Sequence, residues 1–254
     1  VNRPRIYWLA FGTIKLALAV SLITDFRPDG AFLLSFLSDL SLLWQIFYPR
    51  SQWMCPTFSR FHARGNEVWL TIDDGPDPED TPQILALLKE FDARATFFLI
   101  GERVTAHPHL VRAIREAGHE IGAHSHTHPV CRFWALGPRA TRQEVARGLE
   151  ALHSVGVRPR LFRAPVGFKS LWLHRELRTR GLRAVAWTIR SCDTRPRGPH
   201  RIVEAVLRKV KPGAILLFHE GPSVPPENRV VVLRRVLEGL RERGYRTVLP
   251  SDAK

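Results

Sequence analysis

Three cysteines in 254 residues, Cys55, Cys131 and Cys192, are too few, too scattered and odd in number to form a disulfide framework. No Cys-x-x-Cys pair occurs, which argues against a structural zinc ribbon. Acidic residues are also in deficit: 24 Asp and Glu face 38 Lys and Arg, for a formal net charge of +14. That imbalance calls for an acidic partner, either nucleic acid, anionic lipid or anionic glycan. A further absence weakens the first of these. No basic run is interleaved with stacking aromatics, and neither helix-turn-helix nor zinc-finger spacing is present. The arginines scatter instead along helix-period segments, as at Arg139, Arg142 and Arg147, or Arg234, Arg235, Arg241 and Arg243. This is the pattern of a solvated surface with some attraction to anionic headgroups, and no nucleic-acid partner is expected.

The first fifty residues are rich in apolar side chains. Ile6 to Ile23 is almost wholly apolar, broken by Lys15 and preceded by Arg3 and Arg5. As a helix it would be about 27 Å long, close to the hydrocarbon thickness of a bilayer. Thr24-Asp25-Phe26-Arg27-Pro28-Asp29-Gly30 reads as a turn, and Ala31 to Tyr48 is a second apolar run interrupted by Asp39 and Gln45. A cleaved signal peptide shares the charged start, but no clean small-x-small site precedes the break. The alternatives are a two-span hairpin with its polar residues facing inward, one span followed by an interfacial or packing helix, and a soluble helical subdomain. Association with membrane lipid through residues 6–48 is the expectation, at a bacterial cytoplasmic (inner) membrane. The side stays open. Two spans make Arg3, Arg5, Arg50, Arg60 and Arg64 cytoplasmic under the positive-inside rule, whereas one span exports the rest of the chain.

From Asn66 onward the pattern changes. Strand-like runs at Glu67–Ile72, Ala95–Ile100, Glu120–Gly122, Arg160–Arg163, Ala184–Ile189, Ala214–Phe218 and Arg246–Leu249 alternate with helical segments. The helices are read near Thr81–Phe91, Pro108–Ala117, Arg142–Val155, Leu171–Arg180, Pro199–Val210 and Pro226–Arg243. This alternation predicts an α/β fold, a distorted (β/α) barrel with about seven parallel strands, preceded by the N-terminal hydrophobic helical region. The residues able to do chemistry follow the strands: Asp73 and Asp74, His124 to His128, Arg163, Asp193 and His219. The C-terminal ends of barrel strands converge on one mouth.

Each cluster can be read chemically. Asp73 and Asp74 form a turn with Gly75-Pro76, but adjacent carboxylates after an apolar strand repel each other unless a cation relieves them. A metal would hold one and leave the other as a base. In His124-Ser125-His126-Thr127-His128, the His-x-x-x-His spacing puts two rings on one side of a helical turn. Two nitrogens and one carboxylate oxygen leave a position open for water, the layout of a catalytic metal site. His126 is placed outside that site, and His107 and His109 are read as exposed. Arg163 followed by Ala164-Pro165-Val166-Gly167 is either an ordinary strand-ending arginine or the partner of a catalytic carboxylate with loop N–H groups facing an oxyanion. His219 ends an apolar strand; beside a metal site it is a candidate general acid.

Taken in order, these segments resemble the polysaccharide deacetylase family (carbohydrate esterase family 4, the NodB homology domain) over roughly Glu67 to Leu249. Thr71-Ile72-Asp73-Asp74-Gly75-Pro76 is similar to its Thr-Phe-Asp-Asp-Gly-Pro motif, and His124 to His128 to its His-Ser/Thr-x-x-His. Arg163-Ala164-Pro165-Val166-Gly167 resembles Arg-x-Pro-Tyr-Gly, and Leu217-Phe218-His219 resembles Leu-x-His. Ala95-Thr96-Phe97-Phe98-Leu99-Ile100-Gly101 is also familiar.

The resemblance implies that Asp73 is the catalytic base, held by Arg163, and that His219 is the acid, oriented by Asp193. It also implies that Asp74, His124 and His128 bind one divalent metal ion, Zn2+ first, with Co2+ or another transition metal as substitutes. Pro165, Val166 and Leu217 would form the oxyanion and substrate pocket. The implied activity is hydrolysis of an N-acetyl group on an amino sugar of a glycan. Residues 1–50 would be membrane-associated helices, 51–65 a linker and 66–254 the catalytic domain. The chain departs from the family at Arg190-Ser191-Cys192-Asp193-Thr194, where the pattern is Asp-x-x-Asp-Trp, and at Val166, where it has Tyr. These departures bear on substrate choice. A deformylase or amidase acting on a lipid-linked sugar, and an inactive glycan-binding protein, are the competing readings.

Overall fold

The computed structural model describes residues 2–24 and 28–249. The two apolar runs form α1 (Arg3–Thr24) and α2 (Pro28–Phe47), both long and apolar enough to cross a bilayer, a property shared by membrane anchors and signal sequences. The middle of the turn read between them, Asp25 to Arg27, lies outside the described residues. The helices pack as a hairpin. Lys15 of α1 reaches the Ser35 hydroxyl and the Asp39 carboxylate of α2, each at 2.7 Å. The two charges that interrupt the apolar runs therefore pair with each other across the hairpin. Leu9, Leu16, Ile23, Leu33, Phe36 and Trp44 remain exposed on the outside.

The chain continues through β1 (Thr57–Phe58), β2 (Glu67–Asp73), α3 (Asp80–Glu90), β3 (Ala95–Leu99), α4 (Gly101–Ala106), α5 (Pro108–Glu116), β4 (Glu120–Ala123) and α6 (Pro138–Ser154). It ends with β5 (Leu161–Phe162), α7 (Leu173–Thr179), β6 (Arg183–Val185), β7 (Ile189–Arg190), α8 (Pro199–Leu207), β8 (Ile215–His219), α9 (Arg229–Glu242) and β9 (Arg246–Thr247). Every pairing is parallel, in the order β1-β6-β5-β4-β3-β2-β8-β7, with β9 beside β2. The expected α/β barrel-like architecture is present as a parallel half-barrel, with nine strands among the described residues where about seven were expected.

The central strand β2 is buried along its whole length. Val68, Leu70 and Ile72 pack with the helices, while Trp69 joins Phe98, Leu161 and Leu217 on the inner face. Side chains alternate along a strand, so Thr71 and Asp73 share the inner face with Trp69. This parity delivers a carboxylate to the mouth of the barrel.

Four local readings differ from the structure. The run Ala184–Ile189 is two strands, β6 and β7, on opposite sides of the sheet. Between them, the Ala186 N–H donates to the Phe58 carbonyl (2.7 Å) and the Thr188 N–H to the Ile215 carbonyl (2.9 Å), carrying the chain across the opening. The His124–His128 segment is a loop and not a helical turn, because Ser125 and His128 have φ of 63° and 53°, outside the helical region. A short helix, α4, follows β3 directly where none was read. The segment 51–65, read as a linker, contributes β1 to the sheet.

The hairpin is fastened to the domain at the foot of α2. The Lys169 backbone N–H donates to the Ile46 carbonyl (3.1 Å). Its ammonium, on a residue only 2% exposed, donates to Ser51 Oγ (2.6 Å), the Ser51 carbonyl (3.0 Å) and the Tyr48 carbonyl (3.2 Å). Phe47 meets Phe168 edge-on at 5.1 Å.

Candidate active site

The strand ends converge on a cavity of about 310 Å³ lined by Asp73, Asp74, His124, His128, Val166, Leu217 and His219, among others. Asp74 follows β2 with φ of 75°, which turns its carboxylate away from that of Asp73. Gly75 comes next, and Glu220 lies so close to its Cα that any Cβ there would overlap the Glu220 carboxyl. The turn therefore excludes side chains at position 75.

Asp74 Oδ1 lies 3.6 Å from His124 Nε2 and 3.4 Å from His128 Nε2. One ligand atom from each of the three residues falls within 4.8 Å of the others. Asp74 Oδ1 and His128 Nε2 are buried with no hydrogen-bond partner among the described residues. Buried polar atoms are normally satisfied, and a cation held between them would satisfy both. The histidines are in the state such an ion needs. His124 Nδ1 is 2.8 Å from the Arg163 carbonyl, which can only accept, so Nδ1 carries the hydrogen and Nε2 presents its lone pair. Burial, with His124 alongside, pushes His128 down to about 3 despite the opposing pull of Asp74, leaving a neutral ring. Burial favours the neutral acid at Asp74, but His124, His128 and His219 outweigh it and hold the carboxyl well below the usual carboxylate range. The residues present fit a divalent ion.

Asp73 is held from the other side. Arg163 is fully buried and donates from Nη1 to Asp73 Oδ1 (2.6 Å) and Thr71 Oγ1 (2.8 Å), and from Nη2 to the Ala186 carbonyl (2.9 Å). Its Nε donates to the Val185 carbonyl at 3.3 Å. The guanidinium lies 4.1 Å from the centre of the Phe98 ring. The break between β6 and β7 frees the two carbonyls for this role. Such a fork fixes the carboxylate's position and orientation.

His219 Nδ1 is 2.7 Å from Asp193 Oδ1, and the His219 backbone N–H donates to Asp193 Oδ2 at 2.8 Å. Nε2 is thus left for the cavity. Burial alone would lower the His219 pKa, but Asp193, then Asp74 and Asp73, outweigh it and raise it to about 9. The ring is an acid at neutral pH. Exchanging Asp193 for Asn removes the main raising influence and leaves burial in place. With His219 as the acid that the resemblance implies, the alkaline limb of kcat/KM is expected to move to lower pH in Asp193→Asn. Rates measured from about pH 6 to about pH 10 on both proteins check this; an unmoved limb would separate His219 from the proton-transfer step.

The pocket residues read from the sequence divide. Val166 and Leu217 line the cavity, whereas Pro165 is buried and does not. Val166 has φ of 48°, a strained backbone for a β-branched residue. Arg190 and Thr194 are both on the rim. His126 is buried outside the triad. Three supporting residues were not read. The Ser223 hydroxyl donates to Asp74 Oδ2 (3.0 Å), Arg103 Nη1 donates to the Asp74 carbonyl (2.7 Å), and Glu144 accepts from the backbone N–H groups of His126 and Thr127 (both 3.0 Å). Only Ser223 had a usable signal, its position four residues after His219 in a Gly-Pro-Ser loop.

The family model for polysaccharide deacetylase matches residues 62–185. A peptidoglycan-N-acetylglucosamine deacetylase of Bacillus cereus is 34% identical over 192 residues, covering 73% of this chain and 86% of the relative. A chitooligosaccharide deacetylase of Sinorhizobium fredii is 36% identical over 205 residues, covering 74% and 92%. Among solved structures, a peptidoglycan N-acetylglucosamine deacetylase superposes with a TM-score of 0.70 at 30% identity, covering 76% of this chain and 89% of that one. A family pseudoenzyme from Bacillus anthracis superposes at 0.66 with 28% identity, covering 74% and 65%. Likeness of fold therefore extends to both active and inactive relatives, and identity over most of both chains places this protein in the polysaccharide deacetylase family.

Proposed function

We propose that this protein removes the N-acetyl group from an amino-sugar residue of a glycan, releasing acetate. The observation that carries the reading is the presence, in one cavity, of an Arg163-held Asp73 and an Asp193-held His219 beside the Asp74–His124–His128 cluster. A divalent ion on those three residues, zinc by the nitrogen-rich donor set, with Co2+ or another transition metal able to serve, supplies Lewis acidity that lowers the pKa of water. Asp73 takes a proton from the attacking water as its oxygen bonds to the acyl carbon. Arg163 keeps the Asp73 carboxylate aimed through this step. The Val166 N–H faces the developing oxyanion, which the strained φ at that residue serves to orient. His219 then protonates the departing nitrogen as the C–N bond breaks, leaving acetate and a free amine. Residues 1–50 anchor the catalytic domain, 66–254, to a bacterial inner membrane through the segment 51–65.

Acetate release from a chitooligosaccharide, before and after dialysis against a chelator, tests the reading. Activity is expected to fall to background on chelation and to return on adding Zn2+ or Co2+. Formate release from an N-formyl sugar in place of acetate from the N-acetyl sugar would favour a deformylase. A protein that binds glycan but retains no metal and regains no activity would be an inactive binding module.

A further inference from the structure

The loop that borders the catalytic cavity also borders a second one. Val166 lines the first cavity, Gly167 packs against Pro49 at the foot of α2, and Lys169 is clamped by Ser51. Leu171 and Trp172 then line a separate cavity of about 590 Å³ between the start of α1 and α7. Its apolar floor is Trp8, Leu171 and Trp172, and its cations are Arg5, Arg175 and Arg178; no carboxylate lines it. Among the described residues, none of these three arginine side chains has an ion pair or hydrogen bond. Nearby Glu176 is taken by Arg142 and Arg180 instead.

An apolar floor with unpaired guanidinium groups, at the charged end of an apolar helix hairpin, suits a phosphate carried on a lipid. Guanidinium binds phosphate oxygens bidentately, tryptophans favour the interface between lipid and water, and the exposed apolar face of α1 continues from the floor. An uncharged polysaccharide has no anion to offer those guanidinium groups. The two cavities are also near neighbours. Leu171 is five positions after Val166, a span of at most about 18 Å even when fully extended, within the reach of a short saccharide. The catalytic cavity has its own cation on the rim, Arg190, whose side chain has no ion pair among the described residues.

We propose that the substrate is an N-acetylated sugar carried on a lipid phosphate. The phosphate and the first lipid carbons sit in the Trp8–Trp172 cavity, and the sugar extends over the 166–171 loop to the catalytic site. The proposal deepens the deacetylase reading and rests on it, and on the hairpin lying in a bilayer.

The full chain in detergent micelles would be given two substrates, chitotriose and an N-acetylglucosaminyl phosphate ester of a long-chain alcohol. Acetate release is expected to be at least about tenfold more efficient, in kcat/KM, on the lipid-linked sugar. The double variant Arg175→Ala/Arg178→Ala is expected to lose about tenfold or more on that substrate while turning over chitotriose as before, which also reports that it is folded. In parallel, a long-chain alkyl phosphate is expected to quench tryptophan fluorescence in the parent and not in the double variant, with inorganic phosphate without effect. Equal efficiency on the two substrates, or an equal loss on both in the variant, overturns this substrate class alone. Quenching by inorganic phosphate as strong as by alkyl phosphate overturns the lipid assignment. No acetate from either substrate overturns the deacetylase reading itself.

Discussion

Asp73→Asn is expected to bind as much metal as the parent protein and to turn over substrate about 10²- to 10⁴-fold more slowly, the range typical of losing a positioned base. The two effects are expected to separate because the two neighbouring carboxylates face different partners. Asp74 faces His124 and His128 and itself has a positive φ. Asp73 lies on the inner face of β2, with Oδ1 committed to Arg163 and Oδ2 3.6 Å from His124 Nε2. Asparagine keeps the shape and one acceptor for Arg163 but cannot take a proton. Metal content by plasma mass spectrometry, beside kcat on the same preparation, makes the comparison. A variant with full metal and near-parental kcat would remove Asp73 from the chemistry; one that has lost its metal would show that Asp73 belongs to the ligand set.

Arg163→Ala is expected to cost about 3–5 kcal/mol of stability, the usual penalty for stripping one partner from a buried ion pair. The substitution leaves the Asp73 carboxylate, 3% exposed, without its cation and strands the carbonyls of Val185 and Ala186. It also opens a void beside Phe98. Arg163→Lys keeps the charge but has no planar fork with which to hold the carboxylate and both carbonyls. It should therefore recover part of the stability and little of the rate. Denaturant unfolding of the three proteins in detergent, with kcat measured below each transition, distinguishes this from a purely structural role, in which rate and stability would recover together.

The two positions differ in how visible they were. The Asp-Asp pair stood at the end of an apolar run, and strand parity fixes which face its first member takes. His124 and His128 were legible by type and spacing, but the geometry imagined for them was wrong. Two residues in left-handed backbone bring the rings to 4.6 Å, a conformation no periodicity announces. Arg163 in isolation looked like any strand-ending arginine, because its partners lie 90 residues earlier at Asp73 and 22 to 23 residues later at Val185 and Ala186. The division of Ala184–Ile189 was hidden for a related reason. The run has the composition of one strand, and only the needs of a buried guanidinium elsewhere explain why two of its carbonyls leave the ladder. Glu144 and Arg103 act on backbone atoms of other elements, and such contacts leave no trace in local sequence pattern.

Lys169 bears on where the folding unit begins. Its ammonium is buried against oxygen atoms of Tyr48 and Ser51, residues that belong by sequence to the end of the hairpin and the segment after it. A chain severed at residue 65 would keep every catalytic residue yet leave that ammonium in the interior with no acceptor, three positions from Val166. Such a charge cannot simply be hydrated without opening the loop around it. The hairpin's last turn is thus part of the domain's interior, and a form of this protein lacking the rest of the two apolar helices has to retain residues 45–51 as structural parts of the domain.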